Sequence, residues 1–526
     1  MRNRTIVEAL EHRRLLSGQV PFDPGSAGLV AASRHRTIDT RSLAALSRGP
    51  LGPGDVHSTD DLSIPATIEG VSFETEGDLN GSPGFGTIPP SPAAAVGPFH
   101  VVSAVNSAIR FNHKSGTQTF QSNLFAFFGF QAFSGMYDVR IAFDDYTGRW
   151  FVAAVDQTDA SSSPFGNRSS IFLAVSDDAD PNGEWAIYSI NSRLTISSQQ
   201  RYAESLQMAI SQGEIYFTAN MLSFGATPTY AGSRLWIVDK NELLANDNLS
   251  FTLHNPFASA GVTQNLAGLS PVNMLGGGAG TTGTFLINAG GFSDGSGDRL
   301  AVIRVSNPLS PTPTFTNTFV SMGGDVDAQA TPIPPAPQSG TSVTIVTGDR
   351  RVGTAGTWRG GEMVFANTIV PTTGPDAGQA TVRWYRVSAP AAIVAPSLIE
   401  ADNVGGEGIA TGAHTFYPAA TLDHNGNIGI GFGVSAPTIF PSAAYVTRSG
   451  VTTSSATVYA AGGDFYVRTY VLPSGVSANN LWGNYSSAAV DPLDGRIWFY
   501  NQYAGPRGGL FQSEDGRWRT RLANVD

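Results

Sequence analysis

Residues 481–503 read LWGNYSSAAVDPLDGRIWFYNQY and combine two short apolar runs with a tight turn between them. The first run covers residues 487–490 and the second 497–500, and the turn 491–495 ends in a glycine that permits a positive φ. This pattern predicts a β-hairpin. One hairpin cannot bury its own apolar faces, so the stretch also predicts further copies stacked beside it.

Copies of this hairpin recur along the chain and share a turn glycine that is followed, two residues later, by an apolar residue. The clear turn glycines are Gly148, Gly213, Gly426 and Gly495, with weaker candidates at Gly97, Gly283 and Gly340. Their spacing of roughly 50 to 90 residues is typical of four-stranded units repeated around an axis. We therefore predict an all-β fold, a β-propeller with seven blades at 91–136, 137–198, 199–262, 263–322, 323–404, 405–473 and 476–526. Six or eight blades are alternatives, and two packed sandwiches or a β-helix are other architectures.

Composition supports the all-β prediction and excludes several function classes. Among 526 residues there are 60 Gly and 32 Pro, and charged residues make up 14%, against about 25% in ordinary soluble domains. The net charge of −11 argues against a nucleic-acid partner or an anionic membrane surface. The chain has no cysteine, which excludes disulfides, thiolate nucleophiles and cysteine-ligated metals. No apolar stretch is long enough to predict a membrane span.

The chain divides into an N-terminal targeting-like segment (1–20), a linker (21–90) that contains an edge strand at 68–73, and a propeller domain (91–526). Residues 10–16, LEHRRLL, resemble the LEPR-XLL element found at the start of large exported bacterial surface proteins, with His12 in place of the proline. The resemblance implies an extracellular or cell-surface protein. The alternative for this segment is an ordinary short amphipathic helix.

Residues 416–448 and 481–503 resemble a family of exported bacterial β-propeller proteins, as do 94–106 and 171–185. The resemblance spans most of residues 91–503 and implies the propeller fold and export, but no particular chemistry. Relatives tend to have Asp at the position of Asn484 and Glu at that of Gln502. This chain has amides at both positions, which weakens any role that those carboxylates have in metal binding or proton transfer.

The loop Asp423, Asn425 and Asn427 places oxygen-bearing side chains at alternate positions, as calcium loops do. No acidic ligand follows nearby, and Asp and Asn in hairpin turns usually bond their own backbone. We therefore expect no cofactor, with calcium at this loop as the alternative.

An enzyme hypothesis rests on resemblance to sialidase-type propellers, which hold a substrate carboxylate with three arginines and use a Tyr–Glu pair. Arg140, Arg201 and Arg383 lie in different predicted blades, and Tyr202 is close to Glu204. Residues 513–518, SEDGRW, resemble a compressed Asp box, and 176–185 an extended one. Adjacent residues of a strand point to opposite faces, so Arg201 and Tyr202 would not both face a channel.

The function that this sequence favours is a binding or structural module that recognises a glycan or a protein partner. The alternative is a propeller glycoside hydrolase or polysaccharide lyase with its site at the mouth of the central channel. An enzyme should gather two carboxylates, or a carboxylate and a tyrosine, within about 5–10 Å. The candidate ligand-binding residues at the channel mouth are Arg140, Tyr202, Glu204, His414, Tyr417, Trp482 and Asn484.

Overall fold

A computed structural model describes residues 30–32, 34–47, 66–80, 86–129, 136–160, 166–246, 249–264, 266–278, 283–293, 297–323, 332–469, 480–510 and 513–525. The targeting-like segment 1–20, with its LEPR-XLL-like residues 10–16, lies outside the described residues. Among those described, no helix is long and apolar enough to span a bilayer.

The described residues consist mainly of β-strands, joined by tight turns and five short helices. The N-terminal part has strands β1 (Val30–Ala32), β2 (Arg34–Asp39) and β3 (Thr67–Ser72) and helices α1 (Thr40–Ser47) and α2 (Phe73–Leu79). Strands β4 to β11 are Ala93–Val96, His100–Val105, Ala108–His113, Gln118–Asn123, Tyr137–Asp144, Arg149–Thr158, Arg168–Ser176 and Glu184–Asn191, with α3 at Leu124–Phe127. Strands β12 to β16 are Leu194–Ile196, Gln199–Ile210, Glu214–Ser223, Tyr230–Asp239 and Leu249–His254, with α4 at Lys240–Asn246 and α5 at Pro256–Ser259.

The second half of the chain continues the same pattern. Strands β17 to β26 are Ser270–Leu275, Thr284–Ser293, Asp298–Ser306, Thr314–Ser321, Ala336–Gln338, Thr341–Ile345, Gly356–Arg359, Glu362–Ile369, Thr381–Ser388 and Ser397–Val404. Strands β27 to β34 are His414–Leu422, Ile428–Ala436, Ile439–Ser449, Thr452–Thr453, Thr457–Ala460, Ser487–Val490, Ile497–Gly505 and Arg517–Val525.

Consecutive strands pair to form the sheets. Sheet 1 contains β4–β7, sheet 2 contains β8–β11 with β2, and sheet 3 contains β12–β16 with β1. Sheet 4 has eight strands, β17–β20 and β23–β26, sheet 5 contains β27–β31, and sheet 6 contains β32–β34 with β3. Strands β21 and β22 form a separate hairpin.

The inner strands of these sheets contact one another in chain order and close a ring. Strand β4 contacts β8, β8 contacts β13, and β13 contacts β17; β23 contacts β27, and β27 contacts β32. Strand β32 then contacts β4, so the last sheet returns to the first. The chain is therefore a β-propeller, as the sequence predicts. The number of blades stays a prediction, because parallel pairing of β17 with β23 joins two of the expected blades in one sheet.

The segment before residue 90 supplies outer strands to three sheets. Strand β1 pairs with β16, β2 with β11, and β3 with β34, each antiparallel. The sequence predicts a linker with one edge strand over 21–90, and the structure places three strands there. An outer edge exposes unpaired N–H and C=O groups, so a strand of low apolar content is stabilised when it pairs with one. Sheet 6 thereby combines strands from distant parts of the chain.

The apolar core lies between neighbouring sheets and is rich in aromatic residues. Trp185 and Trp518, the indoles of the two Asp-box-like stretches, are fully buried. The indole N–H of Trp185 donates to the carbonyl of Pro181 at 2.9 Å, and that of Trp518 donates to the carbonyl of Thr87 at 2.8 Å. Both stretches are therefore structural turns that bury an indole.

Two buried ion pairs link neighbouring sheets. The ammonium of Lys240 donates to Asp144 Oδ2 at 2.7 Å between sheets 3 and 2, and both side chains are fully buried. The ammonium of Lys114 lies 2.5 Å from Asp491 Oδ2 between sheets 1 and 6. Each carboxylate lies at the start of a hairpin turn, so these two turns also connect neighbouring sheets through their ion pairs.

Candidate functional site

A cavity of about 60 Å³ lies between inner strands of the ring. Its walls come from residues 205 and 207 of β13, 268 before β17, 348, 349 and 351–353 before β23, 368 of β24, 417–418 of β27 and 484–485 before β32. These segments belong to different sheets that meet around the axis. The cavity therefore lies between inner strands of several sheets, near the axis of the ring.

Irregular backbone surrounds this cavity. Asp138, Ser205 and Tyr417 have positive φ values of 53°, 56° and 49°. Each lies at a bulge in the inner strand of its sheet. A bulge interrupts the two-residue alternation of side chains and re-aims those next to it. Non-glycine residues in the left-handed region are strained, and such positions are concentrated at functional sites.

One row of hydrogen bonds connects two carboxylates along the cavity wall. The guanidinium of Arg351 donates through Nε to Asp349 Oδ2 at 2.5 Å and through Nη1 to Ser205 Oγ at 3.2 Å. Ser205 Oγ in turn donates to Glu204 Oε2 at 2.7 Å. Asp349, Arg351 and Ser205 line the cavity, whereas Glu204 lies one contact behind it. We call Asp349, Arg351, Ser205 and Glu204 the carboxylate row.

A second group of contacts supports the carboxylate row from behind. The hydroxyl of Tyr485 donates to Asp138 Oδ1 at 3.1 Å, and the backbone N–H of Ser205 donates to Asp138 Oδ2 at 2.7 Å. The Arg140 guanidinium carbon lies 3.6 Å from the centre of the Tyr485 ring, a cation–π contact. Asp138 therefore holds both Tyr485 and the strained residue Ser205 in place.

Burial shifts the proton equilibria of this site. Burial, together with the charge of Asp138, raises the pKa of Glu204, while Arg351 and hydrogen bonds from Ser205 and Asn220 lower it. Burial raises the pKa of Tyr485 above its usual range, and that of Tyr417 likewise. Glu204 thus keeps a proton to higher pH than an exposed glutamate, which is what a general acid requires.

Two glycines leave room for the cavity's side chains. A Cβ on Gly268, where φ is +83°, would lie 2.2 Å from Cδ of Arg351. A Cβ on Gly348, where φ is +81°, would lie 2.4 Å from Cε1 of Tyr417. Both distances are too short for a non-bonded contact. A side chain at Gly268 would displace Arg351, and one at Gly348 would displace Tyr417.

Four of the seven candidate residues lie at or next to the cavity. Tyr417 and Asn484 line it. Glu204 belongs to the carboxylate row, and Arg140 lies under the ring of Tyr485.

The other three candidates lie elsewhere. Tyr202 packs on Phe224 with ring centres 5.2 Å apart. The His414 ring accepts at Nδ1 from the backbone N–H of Ala380 at 3.2 Å. Trp482 is a core residue, 2% exposed, and packs edge-on against aromatic rings. These three residues therefore do not line the cavity, although they lie near the starts of strands.

The three arginines of the enzyme hypothesis have separate partners. Arg201 donates to the carbonyl of Thr229 at 2.5 Å, and Arg383 donates to the carbonyl of Met322 at 3.1 Å. Neither lines the cavity. The structure therefore does not show a three-arginine grip on one ligand.

The loop proposed for calcium bonds to itself. Asp423 Oδ1 accepts from the backbone N–H groups of Asn425 and Asn427 at 2.8 and 2.7 Å, and Oδ2 accepts from the Asn427 side chain at 2.8 Å. The carboxylate thus stabilises its own turn. Within the described ranges, no group of three or more side chains suited to a metal ion is found.

Sequence reasoning missed Asp138, Ser205, Asp349, Arg351 and Tyr485. A usable signal exists for three of them, since Asp138, Ser205 and Tyr485 each lie eight to ten residues before a clear turn glycine. Counting back from the turn glycines therefore reaches the bulges of β8 and β13 and the residues just before β32. Asp349 and Arg351 lie in a stretch with no such marker.

No protein-family model matches the chain, and no curated protein matches it. Solved structures do match. A Trypanosoma rangeli sialidase in complex with 2,3-difluorosialic acid has a TM-score of 0.34 and 8% identity, covering 80% of this chain and 56% of the sialidase. The xylan β-1,4-xylosidase from Bacillus halodurans C-125 has a TM-score of 0.31 and 9% identity, covering 83% of this chain and 95% of the xylosidase.

The polysaccharide lyase Uly1 has a TM-score of 0.32 and 11% identity, covering 55% of this chain and 56% of the lyase. The chain thus spans little more than half the length of the sialidase and of the lyase. Similarity at this level assigns no substrate and no residue role to this chain.

Proposed function

We propose that this chain is a carbohydrate-acting β-propeller that cleaves a glycosidic bond at the channel mouth. The observation that supports this function is the carboxylate row, in which Asp349 lines the cavity and Glu204 lies one hydrogen bond behind it, joined through Arg351 and Ser205. Cleavage of a glycosidic bond generally uses two carboxyl groups, one protonated and one ionised. The raised pKa of Glu204 suits the first role, and the Asp349 carboxylate, paired with Arg351, suits the second.

Each group has a role that its position supports. For Glu204 to act as the acid, the Ser205 hydroxyl, which in the structure donates to Glu204, turns to accept the Glu204 proton and gives its own proton to the leaving oxygen. Asp349 is exposed and faces the cavity, where it acts as base or nucleophile. The hydroxyl of Tyr485 already donates to Asp138, so Tyr485 serves as a fixed wall of the site.

The second candidate function is the glycan-binding or protein-binding module that the sequence favours. Its support is the small cavity of about 60 Å³, against roughly 300–1,000 Å³ for pockets that enclose a drug-sized ligand. A cavity of this size admits part of one sugar, as a recognition site for a chain end does. Export to the cell surface and the seven-blade count also belong to this proposal, supported by the resemblances of residues 10–16 and 416–503.

A glycan array followed by a release assay tests the two functions. The full chain is screened, and each bound glycan is incubated with the wild type, Glu204→Gln, Asp349→Asn and the control Glu74→Gln, whose carboxylate is on helix α2. We expect release by the wild type and the control, and a loss of about 10²- to 10⁴-fold in the two site variants. Binding without release supports the second function. Release that persists in both site variants refutes the roles proposed here.

A further inference from the structure

Gln207, which lines the cavity, has a buried side-chain acceptor without a hydrogen-bond partner. It lies on β13, lines the cavity and is 4% exposed. Its side-chain Nε2 donates to the carbonyl of Gly353 at 2.9 Å, which fixes the orientation of the amide. Its Oε1 is buried and has no hydrogen-bond partner among the described residues. Because a buried carbonyl oxygen without a donor is unfavourable, this atom is suited to a ligand that carries an O–H or N–H group.

The charges around the cavity balance without a ligand. Asp349 and Arg351 are the charged residues among the described cavity lining, and they pair with each other. Behind them, Asp138, Glu204 and Arg140 surround Tyr485. With Glu204 ionised, three carboxylates face two guanidinium groups, and with Glu204 protonated the numbers are equal. The site therefore offers no excess positive charge to a ligand carboxylate.

Arg140 cannot supply that charge from where it lies. It is 7% exposed and stands against the ring of Tyr485 at 3.6 Å. Tyr485 lines the cavity, whereas Arg140 does not. The aromatic ring thus separates this guanidinium from any ligand in the cavity.

We infer that the cavity binds an uncharged sugar through a hydroxyl group that donates to Gln207 Oε1, and that it discriminates against acidic sugars. This inference rests on the proposed carbohydrate function. A neutral sugar supplies the O–H that Gln207 lacks, and the hydroxyl of Thr368 and the amide of Asn484, both in the lining, offer further polar partners. A sugar carboxylate has no proton to donate and would compete with Asp349 for Arg351.

The test compares matched neutral and acidic ligands. Cello-, manno- and galactohexaose are each titrated calorimetrically beside their C6-oxidised, uronic acid counterparts. We expect the wild type to prefer the neutral member of the bound pair at least tenfold. Gln207→Met should lower affinity for the neutral member about ten- to hundredfold and leave the acidic one unchanged. The control Gln121→Met removes a glutamine that bonds Arg110 in sheet 1 and should change neither.

A second variant tests the charge argument by a gain of binding. Asp349→Asn frees Arg351 from its carboxylate and should raise affinity for the acidic member about tenfold, and Asp349 is exposed, so folding should be retained. A wild type that binds the acidic member equally or better refutes the inference and leaves glycan cleavage standing. A Gln207→Met variant with unchanged neutral binding also refutes it. If the neutral sugars bind as expected but no product is released, cleavage is refuted and the inference on binding stands. If no sugar binds, both the cleavage and the binding inference are refuted.

Discussion

Replacing Glu76 with glutamine should remove a pH dependence from the stability of the fold. Glu76 lies on α2, directly after the outer strand β3, and is fully buried. Its carboxyl accepts from the backbone N–H of Thr87 at 2.6 Å and from the hydroxyls of Thr87 and Ser107. Burial raises the pKa of Glu76 from 4.5 to about 7, although the hydrogen bonds from Ser107 and Thr87 lower it.

The sign and size of the effect follow from these two pKa values. Between pH 4.5 and 7 the folded chain binds more protons at Glu76 than the unfolded chain does, so stability falls as pH rises. The stabilisation is complete below pH 4.5 and is lost as pH rises through about 7. At 1.36 kcal/mol per pH unit, the difference corresponds to about 3 kcal/mol. Glutamine resembles the protonated acid in shape, so the variant should retain the contacts with Thr87 and Ser107. Because glutamine does not titrate, the pH dependence of the free energy of unfolding should be lost.

Urea unfolding of the wild type and Glu76→Gln at half-unit steps from pH 4.5 to 8 measures this difference. We expect the two free energies of unfolding to be similar at pH 4.5 and to diverge in favour of the variant, by up to about 3 kcal/mol at pH 8. Glu74→Gln, on the same helix with an ion pair to Arg517, is the matched control and should follow the wild type. Parallel curves for the wild type and Glu76→Gln across this range would contradict the reasoning.

Three further changes test the sheet contacts and the site. Asp144→Asn leaves the buried ammonium of Lys240 unpaired and should lower the free energy of unfolding by about 3–5 kcal/mol, with part of the loss recovered in a double variant with Lys240→Met. Gly268→Ala displaces Arg351 and should weaken ligand binding about tenfold. Urea unfolding of this variant should show a free energy of unfolding that is lower by about 1 kcal/mol. Wild-type glycan release should decline as pH rises through the raised pKa of Glu204, whereas the residual release of Glu204→Gln should lack that limb of the pH profile.

The hairpin repeat could be predicted because its cause is local. Strands β32 and β33 pair across the turn at 491–495 as expected, and Gly495 has a φ of +78°. Alternating apolar residues and a turn glycine act within a few residues of each other, so the pattern is visible in the sequence. Gly213 also marks a turn, yet its φ lies outside the left-handed region, so the marker locates turns without specifying their geometry.

Of the three outer strands, the sequence predicts only the edge strand at 68–73, which corresponds to β3. The other two could not be predicted, because their partners lie far away in sequence. Thr67 of β3 pairs with Ala523 of β34, and Ala31 of β1 pairs with Ser250 of β16. The N-terminal segment has few apolar residues of its own, since it is stabilised by hydrogen bonds to existing sheet edges. Composition alone therefore indicates a linker where the fold places sheet edges.

The candidate site stays a prediction, and the structure brings only some of its residues together. Inner strands of a propeller converge on the axis, and four of the seven candidate residues lie at or next to the cavity. Alternation along a regular strand misplaces neighbours of a bulge, because the bulge changes which side chains face the channel. Ser205 and Asp138 occupy such bulges, so the alternation of apolar and polar residues does not identify them.

The strain at these bulges is coupled to the contacts that build the site. A left-handed conformation costs a non-glycine residue about 1 kcal/mol or more, and glycine would relieve it at the same backbone position. At Ser205 and Asp138, however, glycine would also delete the hydroxyl that joins Glu204 to Arg351 and the carboxylate that holds Tyr485. Gly268 shows the opposite case, since there a side chain would displace Arg351. At these three positions of positive φ, the residue type is therefore explained by the contacts that its side chain makes or avoids at the cavity. The backbone conformation alone would favour glycine at all three.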